Sequence, residues 1–281
     1  MSLPRLLPER IEALLAPGGL RLRRDGVIET IDVAAEHDAE AWRAPLDALD
    51  RALCARPPCR AAGSARLPAT LVGMLAPCLD IVLSEHFTRW QLLPWQAEVE
   101  APAEQEALAR HNFRELYGDV ARHWQVRCAA QPPGAPTPAC AIDGALLAAL
   151  RQLAATHGCR LGSLRPLLVA AAERWQRKLP RGVAWFAVLE AGRLNLGLLR
   201  DGRWRALHGE PLPATADSGE LLAGLITRSA IAAGLAPGAG RLLLCGEGAD
   251  TFPVPFSAGA VQRLGSALAW TAASRTARMN A

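Results

Sequence analysis

The segment Trp185 to Leu212, WFAVLEAGRLNLGLLRDGRWRALHGEPL, constrains the fold more than any other part of the chain. Its apolar runs are too short for helices and are broken by tight polar turns. Trp185 to Glu190, Leu194 to Leu199 and Trp204 to Leu207 read as three antiparallel strands. Ala191-Gly192-Arg193 and Arg200-Asp201-Gly202-Arg203 lie between them. A hairpin turn needs backbone at positive φ, which Gly and Asp tolerate. A helix-period run, Glu220 to Ala233, comes next. A short apolar strand follows, Arg241 to Cys245, and ends in Gly246-Glu247-Gly248. The spacing of Ala260 to Ser274 predicts a closing helix. The order is three strands, helix, strand, helix.

The chain has 281 residues, enough for one large domain or two smaller ones. It is 51% hydrophobic and 21% charged, which supports a packed core and argues against disorder. Its 31 basic and 27 acidic residues are interspersed, and Lys178 is the one lysine. A net charge of +4 spread in this way is no footprint for nucleic acid. The seven cysteines are scattered, with no C-x-x-C, and the six histidines form no H-x-x-x-H. No metal site is therefore expected, since zinc motifs place paired ligands at short spacing. Neither a signal peptide nor a membrane-spanning run is read, so a cytoplasmic protein with reduced thiols is expected, with no direct membrane insertion.

The first half opens with a short helix expected over Glu9 to Leu15, stopped by Pro17-Gly18-Gly19. Leu20 to Arg24 and Val27 to Val33 flank Asp25-Gly26 as a hairpin. Ala39 to Ala55 has helical spacing, and 56–69 reads as a loop. Leu79 to Leu83 has the continuous apolar pattern of a strand buried on both faces. Arg89 to Trp95, RWQLLPW, reads as another strand. Then come a helix over Ala103 to Leu116, strands over Trp124 to Ala130 and Ala139 to Ile142, and a helix over Gly144 to Thr156. A further helix is expected over Leu164 to Arg174, with Pro166 in its first turn. The halves share an order of elements, but no residue-level repeat is read. Leu179 to Gly182 marks the expected boundary.

The phrases Leu79-Asp80-Ile81-Val82-Leu83-Ser84 and Arg89-Trp90-Gln91-Leu92-Leu93-Pro94-Trp95, followed by Gly158 to Pro166, resemble the actin-like cytoplasmic modules of bacterial assembly platforms. These are the PilM proteins of type IV pili and the GspL proteins of type II secretion. The resemblance runs from about Leu20 to Ser274. It implies an α/β, actin-like fold of two ribonuclease H-like lobes, mixed sheets flanked by helices, with a small inserted αβ subdomain. The first lobe would be 1–178, with the insert at about 96–178, and the second 179–281. It also implies a non-enzymatic scaffold held at the inner membrane by a PilN-like partner, binding that partner's N-terminal cytoplasmic peptide and an assembly ATPase.

The actin-like fold raises the question of ATP and Mg²⁺. Phosphate hairpins need Gly for close backbone approach and an acid to hold Mg²⁺ through water. Glu190 and Gly192 match one such hairpin, with Glu in place of Asp, and Gly246 and Gly248 partly match an adenosine turn. Glu247 would repel phosphate unless a cation intervened. The first hairpin, taken as Arg24 to Val27, lacks the pattern. A degenerate nucleotide site is expected, with turn glycines serving geometry. The alternatives are an actin-like ATP-binding protein, or an unrelated interaction module on the same fold. No nucleophile elbow is present, and Asp80, Glu85, Asp143 and Asp32 make a poor nuclease carboxylate set. Among the eight tryptophans, Trp90 and Trp95 are the candidate partner-binding pair. Their odd separation on one strand would point them to opposite faces.

Overall fold

The computed structural model describes residues 8–35, 40–58, 76–99, 101–212, 218–236, 238–254 and 260–270. The loop expected over 56–69 therefore lies mostly outside the described residues, as does the end of the expected closing helix. By packing, the chain forms two units, Met1–Phe87 with Gly144–Pro166, and Thr88–Asp143 with Leu167–Ala281.

The first unit is built on a five-stranded sheet. Its strands are β1 (Arg10–Ala16), β2 (Gly19–Arg24), β3 (Val27–Asp32), β4 (Cys78–Leu83) and β8 (Arg160–Pro166), in the order β3-β2-β1-β4-β8. β1, β2 and β3 form an antiparallel meander, and β1, β4 and β8 run parallel. Here the helix expected over Glu9 to Leu15 is corrected to β1. Ile11, Ala13, Leu14 and Leu15 are all buried, because neighbours on both sides and both faces enclose this central strand. Such a run carries no period-2 signal and cannot be told from a buried helix by spacing. Pro166 likewise closes β8 opposite Leu83, so the helix expected from Leu164 begins only at Leu167. Helices α1 (Arg43–Ala55) and α3 (Gly144–Thr156) complete this unit and pack on each other. Leu46, Leu49 and Leu53 of α1 face the core, as the 3.6-residue spacing requires.

The second unit repeats the plan. β9 (Val183–Glu190), β10 (Arg193–Arg200), β11 (Arg203–Pro211), β12 (Arg241–Gly246) and β13 (Val261–Gly265) are ordered β11-β10-β9-β12-β13. The helix α5 (Ser218–Ala232) occupies the same place in the order as α1. Val261–Gly265 pairs parallel to β12, which corrects the helix expected over Ala260 to Ser274. The apolar core joins Trp185, Leu196, Leu198, Leu222, Leu225, Leu242 and Leu244. A residue-level repeat emerges once the sheets are aligned. Leu20-x-Leu22-x-Arg24-Asp25-Gly26 and Leu196-x-Leu198-x-Arg200-Asp201-Gly202 both turn from the second strand of the sheet into the third. Asp25 and Asp201 have φ of 51° and 54°, and Gly26 and Gly202 of 79° and 74°. That double positive φ matches the right-handed twist of the flanking strands.

Thr88–Asp143 carry a small sheet in the order β5-β7-β6, with β5 (Thr88–Leu93), β6 (Trp124–Cys128) and β7 (Thr137–Asp143), covered by α2 (Pro102–Tyr117). Leu93, Ala109, Phe113, Val126, Ala139 and Ala141 form its core. These residues group with the second unit, in which β5 lies against β11. The helix α4 (Leu167–Trp175) does the same by packing on β9.

Candidate functional site

In the second unit the structure brings Glu190, Gly192, Gly246 and Gly248 to one end of the sheet. β9 and β12 are parallel neighbours, so the turns after both emerge together. Gly246 is in register with Leu189, and the Glu247 N–H donates to the Leu189 carbonyl at 2.9 Å. This is the place where open α/β sheets present loops to ligands.

The glycines have local explanations there. A Cβ built on Gly246 would lie 2.9 Å from the Leu189 nitrogen and closer still to its carbonyl oxygen. The room left by the missing side chain is filled by the protein's own backbone. Gly192, at φ 73°, faces open space and is needed for the turn between β9 and β10. Its carbonyl accepts the Leu212 N–H at 2.8 Å.

The corresponding turn of the first unit is not Asp25-Gly26. Because Arg10–Ala16 is a strand, the turn from the first strand to the second is Pro17-Gly18. Proline has no N–H to offer a phosphate oxygen. Asp25 is taken up elsewhere, accepting from Arg56 Nη2 at 2.7 Å. Neither first-to-second-strand turn carries an Asp for Mg²⁺, and Glu247 places a negative charge within the Gly246–Gly248 turn.

The proposed tryptophan pair separates differently than expected. Trp90 lies on β5 opposite Cys140 and is half-buried. Trp95 lies beyond the strand, which ends at Leu93, and is 47% exposed. Strand parity therefore says nothing about Trp95. The carboxylate Asp80 is engaged on β4 by Arg10 Nε at 2.6 Å and by Ser163 Oγ at 2.6 Å. It holds two neighbouring strands and is not a free metal ligand.

Sequence reasoning passed over a polar position in the apolar strand β10. Asn195 is 1% exposed, and neither its Oδ1 nor its Nδ2 has a hydrogen-bond partner among the described residues. Gly209, its cross-strand neighbour, leaves room for it: a Cβ there would meet Asn195 Oδ1 and Arg193 Nη2, each at 2.9 Å. The Arg89 guanidinium on β5 is lowered from its ordinary value, first by burial and then by the charge of Arg193. The legible signal was Arg193-x-Asn195 interrupting a run of leucines.

No protein-family model matches the chain, and no curated protein sequence matches it. Among solved structures it is similar to the PilM-PilN type IV pilus biogenesis complex. The identity is 16%, with 92% of this chain and 91% of that chain covered and a TM-score of 0.54. It is also similar to a Bacteroides thetaiotaomicron protein with an actin-like ATPase fold and unknown function. There the identity is 10%, the coverage 85% and 82%, and the TM-score 0.51. The chain has the actin-like fold. The cytoplasmic domain of EpsL, an inner membrane component of the Vibrio cholerae type II secretion system, aligns at 9% identity over 92% and 90%, with a TM-score of 0.48. Within this actin-like fold the two sheets share one strand order, and a Leu-x-Leu-x-Arg-Asp-Gly turn recurs in both.

Proposed function

We propose that this chain is a non-enzymatic adaptor in a type IV pilus or type II secretion-like assembly. It works at the cytoplasmic face of the inner membrane, held there by the N-terminal tail of a PilN-like membrane protein, and connects that partner to an assembly ATPase. One observation carries the reading. The chain keeps an actin-like fold, yet its turns disfavour phosphate, with Pro17 in one and Glu247 in another. A fold kept without its nucleotide chemistry is kept for surfaces. The similarity to the PilM-PilN structure supports the choice of machine. Among the described residues no helix is long and apolar enough to cross a membrane.

Recognition would use strand addition or apolar anchors, the usual modes for an extended peptide. The exposed ring of Trp95 and the half-buried ring of Trp90 are the proposed anchors, since indole combines a large apolar area with one polar N–H.

The test is titration of the full chain with synthetic N-terminal tails of single-span membrane proteins encoded beside it. Saturable binding that weakens roughly tenfold or more in Trp95→Ala supports the adaptor. No binding to any such tail removes it. Thermal unfolding with Mg-ATP is the companion measurement. A ligand at about 100 times its Kd adds about 2.7 kcal/mol of stability. An upward shift with ATP would replace the scaffold reading with a nucleotide-binding one.

A further inference from the structure

Asp50, Cys54 and His157 converge in the first unit. The potential ligand atoms of all three lie within 4.8 Å of one another. Asp50 and Cys54 are one turn apart on α1, so both project from the same side of the helix. His157 follows the last residue of α3, and its N–H donates to the Leu153 carbonyl at 3.1 Å. Its Nε2 is 2.7 Å from Asp50 Oδ1.

We propose that Asp50, Cys54 and His157 bind a zinc-class divalent cation, one that clamps α1 to the end of α3. The donor set is one carboxylate oxygen, one sulfur and one imidazole nitrogen. Thiolate and imidazole together favour Zn²⁺ over Mg²⁺ and Ca²⁺, which prefer oxygen. The geometry needs little change. Tetrahedral bonds of about 2.0 Å put adjacent oxygen and nitrogen ligands about 3.3 Å apart. The Asp50–His157 pair would thus open by roughly half an ångström as the cation replaces the shared proton. The His157 side chain is 8% exposed and that of Asp50 50%, so the imidazole forms the floor and the carboxylate the mouth. Three protein ligands leave a fourth position for water or for a group from a partner. Cys54 must lose its proton to bind, so affinity falls as the pH is lowered.

The probe is Co²⁺, added to the reduced full chain and monitored by absorption, with Zn²⁺ as competitor. One equivalent is expected to give a thiolate-to-cobalt charge-transfer band and the intense visible bands of a tetrahedral site, both erased by one equivalent of Zn²⁺. Cys54→Ser alters only an exposed side chain and is expected to abolish the charge-transfer band. His157→Asn is expected to lose roughly 100-fold or more in zinc affinity, beyond what an outer-shell change costs. Cys128→Ser, which removes a thiol that is no member of the cluster, should leave the spectrum unchanged. Zinc should also protect Cys54 from alkylation. Absence of the charge-transfer band, or its survival in Cys54→Ser, overturns the proposal.

Discussion

Gly246 sits against Leu189 with no room for a side chain: an added Cβ would stand 2.9 Å from the Leu189 nitrogen and inside the contact distance of its carbonyl oxygen. The glycine is required by the pairing of β12 with β9, and also by its φ of 106°. Gly246→Ala is therefore expected to destabilise the fold by about 3 kcal/mol, through overpacking and backbone strain. Urea unfolding measures the loss. An alanine variant as stable as the parent would mean that the strand ends do not approach as described.

The buried pair Glu9 and Arg24 yields a second expectation. Arg24 is 5% exposed, pairs with Glu9 through two nitrogens, and donates to the carbonyls of Arg56 and Pro57 just past α1. Removing one partner leaves a buried charge uncompensated, which costs about 3–5 kcal/mol. Arg24→Met should show that loss in denaturant unfolding. The double variant Glu9→Leu with Arg24→Met should recover most of it, because no charge is then stranded.

His208 gives the chain a pH-dependent stability. Burial, with Arg228 adding to it and Glu210 opposing it, holds the imidazole below its ordinary value, and Nε2 lies 2.7 Å from Ser229 Oγ. Below a pH of about 6.5 the unfolded chain takes up this proton and the folded chain resists it. The contribution is fully present above that pH and is lost as the pH falls towards the depressed folded value. Unfolding free energies measured from pH 7.5 down to 5 should decline. His208→Gln should flatten the part of the decline that belongs to this residue.

Asn195 tests whether a buried polar group is kept at a cost. Its side-chain amide atoms are enclosed without partners among the described residues, a burden of about 1–3 kcal/mol. Asn195→Val puts a β-branched apolar residue at this strand position and should raise stability by about 1 kcal/mol. Thermal unfolding decides the point. A fall in Tm would show that the amide is paired in solution.

Much of this architecture was legible along the chain. The hairpin at Asp25-Gly26, the three strands from Trp185 onward and the helix over Gly144 to Thr156 declare themselves by turn chemistry and by period. Three segments did not. Arg10–Ala16, Arg160–Pro166 and Val261–Gly265 pair with parallel neighbours far away in sequence. For Arg160–Pro166 and Val261–Gly265 parallel pairing leaves no local turn to read, and Arg10–Ala16, which does turn locally into β2, loses its alternation through burial on both faces. The misreading of β1 then moved the first-unit hairpin to Asp25-Gly26, one turn too late, and Pro17-Gly18 was read as a helix stop instead of a strand-to-strand turn.

The sequence alone determined the local conformations, the gathering of Glu190 to Gly192 into one turn and Gly246 to Gly248 into another, and the resemblance that pointed to an actin-like fold. Those are properties of φ, hydrogen bonding and spacing within a few residues. Only the tertiary structure placed the two turns side by side, joined Thr88–Asp143 to the second unit and left Asn195 without partners. It alone also brought His157 across to Asp50, a separation of 107 residues closed at 2.7 Å. Contacts of that kind arise from the packing of α1 against α3, which burial of apolar faces drives and no local spacing records.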